Sequence, residues 1–323
     1  MVARAPTIEQ QIAAARRIEV TKPEGADALR EILRKSLGFV VAVAAARIAE
    51  HSLVALVPDL VACFERLCED GAKRDPGCGG KRAIVKALHA MDWWDDRVFV
   101  RGLRIVQREG WAGPDGRPPD DTAADLRGMC GVVHAQLARA DALDVLAELL
   151  HDDERATRVL AANGIGDSGR RDGTALLRYK LLAGDPEAEV LSACFEALFS
   201  LAREDSVAFA LRFLDAHDEI AEVAVLALGS ARIAEAFEPI KLWCSGCRPP
   251  QRHAIGLLAL ALLRADPATD YLLDLVRSSK TEAVAAARAL ATFIDDRKLI
   301  DSVRAAAKEQ RDSKVQAEIL ALL

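Results

Sequence analysis

A chain of 323 residues, 51% apolar and only 5% aromatic, is long enough for two domains or one extended array and holds ample material for a large core. The net charge of -6 excludes generic attachment to phosphate backbones, which takes a basic surface to displace counterions. Its apolar residues are mainly Ala, Leu and Val, a composition that suits helices packed closely through small side chains and points to an all-α class.

The opening "MVARAPTIEQQIAAARRIEV" has no apolar run of secretory length, and its second half reads as an amphipathic helix, so no export is expected. Helical periodicity predicts helices over 7–19, 24–35, 38–51 and 53–69, a loop over 70–80, and helices over 81–92 and 95–109. The longest apolar runs, Phe39 to Ala46 and Ile255 to Leu263, fall short of the roughly 20 residues that cross a bilayer and read as buried helices. Seven scattered cysteines, an odd number, argue against a disulfide framework and make a reducing cytoplasm the expected compartment.

Within the 70–80 loop, "DPGCGGK" places Cys78 just ahead of a helix, where the helix dipole and Lys81 are expected to lower a thiol pKa. The same residues make a good turn and helix start, and no adjacent His supplies a base. Further along, Asp92, Asp95, Asp96 and the pair Trp93–Trp94 mark a turn. After it Arg97, Arg101, Arg104 and Arg108 are spaced 4, 3 and 4, which puts them on one face of the predicted 95–109 helix, with Val100, Leu103 and Val106 as an adjoining apolar stripe. Two readings stand: one Trp plugging the space between helices beside a solvated arginine face, or a patch that receives an acidic protein segment or nucleic acid.

The Gly- and Pro-rich segment 110–120 reads as a long connection rather than a domain linker, because a helix-pair pattern resumes at Asp121. From there the chain repeats itself. "DERATRVLAANGIGDSGRRDGTALLRYKLLAGD", "DPEAEVLSACFEALFSLAREDSVAFALRFLDAHD" and "DEIAEVAVLALGSARIAEAFEPIKLWCSG" each hold an acidic or Pro-containing start, an Ala/Leu-rich helix, a break and a second apolar helix. One apolar residue recurs at Leu126, Val159, Val190, Val223, Ile255, Val284 and Val315, at spacings of 33, 31, 33, 32, 29 and 31 residues. A two-helix unit exposes a stripe that it cannot bury alone, so successive units must stack. The expected architecture is an α-α superhelix, a single array over 1–323 with longer, irregular repeats over 1–120 and regular repeats of about 32 residues over 121–323. The closing "EILALL" ends on an apolar helix, as half a unit or as a segment that docks elsewhere.

"GIGDSG", Gly164 to Gly169, has the dinucleotide spacing G-x-G-x-x-G, but an Ala-rich helix precedes it where the fingerprint needs a strand, so it reads as the break that ends a first helix. "CSGC", Cys244 to Cys247, has redox or metal spacing with His253 nearby, but no second such pair completes a zinc site, and a small-residue turn is the expectation. The six histidines are dispersed, with nothing resembling H-E-x-x-H or a triad. No cofactor, metal or catalytic residue is expected.

The stretch "LAANGIGDSGRRDGTALLRYKLLAGDPEAEVLSACFEAL" resembles bacterial HEAT-like repeats, in which a "G-x-G-D" break separates the helices and an Asp opens the next unit. "DPGCGGKRAIVKAL", "DDRVFVRGLRIVQ" and "DTAADLRG" likewise resemble a bacterial HEAT-repeat subgroup. The resemblance covers residues 36–323 and is strongest over 121–323. HEAT units commonly run about 40–47 residues, so these are the shorter bacterial variant, similar to the repeats of phycobilisome lyases. This resemblance implies an armadillo-type solenoid whose second helices line a concave side, which would turn Arg97, Arg101, Arg104 and Arg108, beside Trp93 and Trp94, toward a partner. It implies a cytoplasmic scaffold for a protein or peptide. Alternatives implied by the same resemblance are a nucleic-acid-binding enzyme of the DNA glycosylase type, using Trp93, Trp94 and Asp95 or Asp96, and a lyase- or chaperone-like protein.

Overall fold

The computed structural model describes residues 6–111, 119–247 and 249–323, and among these the chain is all-α. The described residues contain one two-stranded pair, β1 (Arg108–Glu109) antiparallel to β2 (Asp120–Asp121), with Arg108 opposite Asp121. No described helix is long and apolar enough to cross a membrane. The chain forms two compact units, Met1–Gly169 and Arg170–Leu323. The 110–120 connection belongs to the first of them, and its residues 112–118 lie outside the described residues.

The first unit holds α1 (Ile8–Arg16), α2 (Pro23–Lys35), α3 (Gly38–Glu50), α4 (Val57–Glu69), the single turn α5 (Gly71–Arg74), α6 (Gly79–Ala90), the single turn α7 (Phe99–Gly102), α8 (Ala124–Gln136), α9 (Ala142–Leu149) and α10 (Arg155–Asp167). Helices α1, α3, α6, α8 and α10 each pack on the next in that order; α2 packs on α3 and α4, α4 on α6, α7 on α8, and α9 between α8 and α10. Their shared core includes Leu29, Ile48, Phe64, Ile84, Phe99, Leu126 and Cys130.

The second unit holds α11 (Gly173–Ala183), α12 (Ala188–Leu211), α13 (Glu219–Ser230), α14 (Phe237–Gly246), α15 (Pro250–Leu263), α16 (Asp266–Ser278), α17 (Ala283–Ala291), α18 (Arg297–Lys308) and α19 (Ser313–Leu320). Helix α12 is two helices in effect, because Ala202 breaks it with φ -154° and ψ 62°. Helices α12, α13, α15, α17 and α19 pack in sequence order, with α14, α16 and α18 as the second members of the pairs.

All seven recurring apolar positions fall on helices, on α8, α10, α12, α13, α15, α17 and α19. Leu126, Val190 and Val223 are buried outright; Val159, Ile255, Val284 and Val315 are half-buried, and there the deepest positions are taken by neighbours such as Ala161, Leu257, Ala287 and Ile319. Small residues let the first helices approach closely: a Cβ added at Gly229 would stand 2.5 Å from the carbonyl oxygen of Ala259 on α15. Gly164 and Gly166 also lie inside α10 and do not end it; the break comes later, at Ser168 and the positive-φ Gly169.

Helix C-termini expose carbonyls without an internal partner, and neighbouring repeats supply the donors. Arg66 on α4 donates from Nη2 to Leu33 O (2.9 Å) and Ser36 O (2.8 Å) at the end of α2. Gln310, just past α18, donates from Nε2 to Val276 O and Ser279 O, both at 3.0 Å, at the end of α16. These side chains hold one repeat to the last through polar groups, alongside the apolar spine.

Candidate functional site

The predicted 95–109 helix is much shorter. Backbone hydrogen bonds wind the chain from Asp95 to Ile105, yet only Phe99–Gly102 is α-helical, and Arg108 lies on β1. Arg97, Val100, Arg101 and Arg104 therefore still share an exposed face, while Arg108 leaves it and donates to Pro119 O at 3.2 Å. The stripe that packs inward is Val98, Phe99 and Gly102; Val100 and Val106, expected there, are exposed. Gly102 sets this arrangement, since a Cβ at that position would collide with the sulfur of Cys130 on α8.

Trp94 is the plug between helices. Its ring stacks on Phe99 (centroids 4.6 Å apart, planes at 10°), meets His134 edge-on at 5.0 Å, and carries the Arg139 guanidinium at 4.8 Å. Its Nε1 donates to Asp96 Oδ1 at 2.5 Å. Trp93 stays exposed. Arg97 is neutralised by Asp95 through Nε (3.0 Å) and Nη2 (2.8 Å), and those bonds hold the Asp95 carboxyl below its ordinary range. The guanidinium groups of Arg101 and Arg104 have no hydrogen-bond or ion-pair partner among the described residues.

The helix ends because Gln107 is drawn into a buried polar network that sequence reading did not anticipate. Asp75 and Lys81 form an ion pair at 3.0 Å with both side chains fully buried. The Asp75 carboxylate also accepts from Gly80 N (2.7 Å) and Lys81 N (2.9 Å), capping α6. Lys81 Nζ donates to Gln107 Oε1 at 2.9 Å, and Gln107 Nε2 donates to Asp75 O at 2.9 Å and also to Glu109. Glu109 accepts from Gly77 N and Thr122 Oγ1, while Gln107 N donates to Asp121 Oδ1 at 2.9 Å. The base of the β1–β2 pair is thereby tied to the "DPGCGGK" turn. A cavity of about 550 Å³ beside it is lined by Gly77, Arg82, Asp120 and Glu154 among others, but Arg82 is engaged with Asp125 at 2.6 Å.

Arg127 extends the network from α8. Its Nη1 meets Asp121 at 2.6 Å, and Nε and Nη2 meet Asp152 at 2.8 and 2.7 Å. Burial works against ionising Asp152, but hydrogen bonds from Arg127 and from Glu154 N outweigh it and hold its carboxyl below the usual range. A carboxylate whose folded pKa lies below its unfolded value, about 3.9 for Asp, stabilises the fold above that value and ceases to as pH falls through the folded one. Urea unfolding midpoints followed between about pH 3 and pH 7 should therefore fall less steeply on the acid side for Arg127→Met than for the parent chain; parallel curves would show that this pair contributes nothing to the acid limb.

The cysteines are not poised as nucleophiles. Burial pushes the Cys78 thiol up, against the opposing charge of Lys81 and a hydrogen bond with Thr122, which corrects the expected dipole-lowered value. Cys244 lies in the last turn of α14 with Sγ 3.4 Å from Nδ1 of His253, whose Nε2 is 2.9 Å from Glu282. Those types could form a relay, yet Cys244 is buried and its thiol is pushed up to about 12, so it stays protonated near neutrality. No group of three or more metal-ligating side chains converges among the described residues.

The chain matches no protein-family model and no curated protein. Among solved structures it is similar to the complex of CpcE and CpcF of phycocyanin lyase from Nostoc sp. PCC7120, at 16% identity over 67% of this chain and 98% of that one, with a TM-score of 0.36. It is also similar to Uso1-2, at 12% identity over 99% of this chain and 52% of that one, with a TM-score of 0.27.

Proposed function

We propose that this protein is a non-catalytic scaffold of the HEAT-like type, and that the strip from Trp93 to Trp111 receives an acidic segment of a protein or peptide partner. One observation carries the reading. Arg101 and Arg104, exposed and unpaired among the described residues, are flanked in sequence by large apolar side chains held in solvent, with Val106 58% and Trp111 97% exposed. Exposed aromatic and arginine side chains are the groups that contribute most to protein interfaces, and unpaired cations select carboxylates. The glycosylase-type alternative draws less support. Asp95 is held by Arg97 and Asp96 by Trp94, and two free arginines are few for the several phosphate contacts that a duplex needs.

The test is selection from a displayed random-peptide library on the immobilised full chain. Recovered sequences should carry Asp or Glu beside bulky apolar residues and should be lost on the Arg101→Glu/Arg104→Glu variant. Equal recovery on the variant would remove this strip from the account.

A further inference from the structure

We infer that the second unit carries a separate groove, between the α11–α12 turn and the start of α13, that docks a basic peptide segment through an apolar anchor. This does not rest on the Trp93–Trp111 strip, whose charge preference is opposite.

The groove encloses about 730 Å³, within the range of roughly 300–1,000 Å³ over which protein pockets bury most of a ligand. Leu181 and Leu191, both buried, form its floor, with Phe213 and Ile220 half-buried on the walls. The floor runs out onto α11: Leu182 on the rim is 61% exposed, and Tyr179, one helical turn before it, is 74% exposed. A monomer gains nothing by leaving such side chains in water beside an apolar depression.

Charge identifies the occupant. The cation of the groove, Arg252, is held by Glu222 at 2.5 Å, and Asp185 is held by Lys180 at 2.7 Å. Asp218 and Glu219 remain. Asp218 accepts one bond on its side chain, from Ala221 N at 2.9 Å, and caps α13. Neither carboxylate has a cation within ion-pair distance among the described residues, and Arg252, bound to Glu222, reaches Asp218 only as a more distant charge. The groove thus offers two carboxylates without a contact ion pair beside an apolar floor, and its one arginine is already bound to Glu222. Its complement is a segment that places Lys or Arg next to a Leu- or Phe-sized side chain.

The experiment uses the full chain and a fluorescein-labelled peptide with two leucines between pairs of arginines, read by anisotropy. The parent chain should bind it, and Asp218→Asn/Glu219→Gln should bind about tenfold more weakly. Asn still caps α13, so an unchanged melting curve separates lost charge from lost fold. Leu182→Ser on the protein, or Leu→Ser in the peptide, should weaken binding as well, and Arg101→Glu/Arg104→Glu should not. The proposal is overturned by equal binding to the Asp218→Asn/Glu219→Gln variant, or by equal binding of a peptide with glutamates in place of arginines. It is also overturned if the parent chain self-associates in light scattering and that variant does not, because the occupant is then a second copy.

Discussion

Asp75→Ala is expected to lower the stability of the first unit by about 3–5 kcal/mol, the range found when one member of a buried ion pair is removed. The size follows from where the charges sit. Both side chains are fully enclosed, and without Asp75 the Lys81 ammonium keeps only neutral acceptors, Gln107 Oε1 at 2.9 Å and Leu67 O at 3.4 Å. The substitution also removes the cap on Gly80 N and Lys81 N, which by itself costs about 1 kcal/mol. Lys81→Met should cost less, because the carboxylate it strands retains those two backbone donors. The double variant Asp75→Asn/Lys81→Met should recover part of the loss, since a matched uncharged pair leaves no buried charge behind. Urea unfolding supplies the measurement; a loss under about 1 kcal/mol for Asp75→Ala would mean that water reaches the pair.

Trp243→Ala should cost the second unit a similar amount, about 3–5 kcal/mol, by the rule for large aromatics cut back in a core. Trp243 is buried on α14; its indole nitrogen donates to Ala216 O at 2.8 Å, and its ring lies parallel to His217 with centroids 5.5 Å apart. Alanine leaves a cavity and an orphaned carbonyl together. Trp243→Phe keeps most of the packing and loses the hydrogen bond, so about 1 kcal/mol is expected from it. In an array whose repeats touch only their neighbours, damage stays local. Amide exchange should accordingly show protection lost first around α12 to α15 for Trp243→Ala and around α3 to α8 for Asp75→Ala. Uniform loss along the chain in either variant would mean that the whole of it unfolds as one cooperative array.

The repeat phase was legible because it is written in the chain's dominant residues. Leu126, Val190 and Val223 recur at helical-pair spacing and sit where that spacing puts them. That one tryptophan of the Trp93–Trp94 pair packs between helices was legible too, but not which: Trp94, also a candidate for the binding strip, is the one that stacks on Phe99. What escaped depends on partners distant in sequence. Nothing near Gln107 announces that Lys81 and Asp121 will take its amide and its backbone N–H, and that competition ends the helix that the arginine spacing predicts. Gly164 looked like a break because glycine usually is one; here a neighbouring helix comes close, with Leu146 Cδ2 3.0 Å from where a Cβ would stand. At Cys78 the neighbouring Lys81 charge favours the thiolate, as the local sequence implies, but burial, a tertiary property, outweighs it. In the groove, the Asp218 cap has a local signature, but the neutralisation of Arg252 by Glu222, 30 residues away, does not.

The donors at Arg66 and Gln310 bear on how such a chain grows over evolutionary time. Each serves a helix end that belongs to the preceding repeat. A duplication cut at a repeat boundary would separate donor from acceptor and leave bare carbonyls at the seam, whereas one cut inside a repeat, downstream of the donor, would carry the seal along. Tandem copies of this gene segment should therefore begin and end within helical pairs rather than between them.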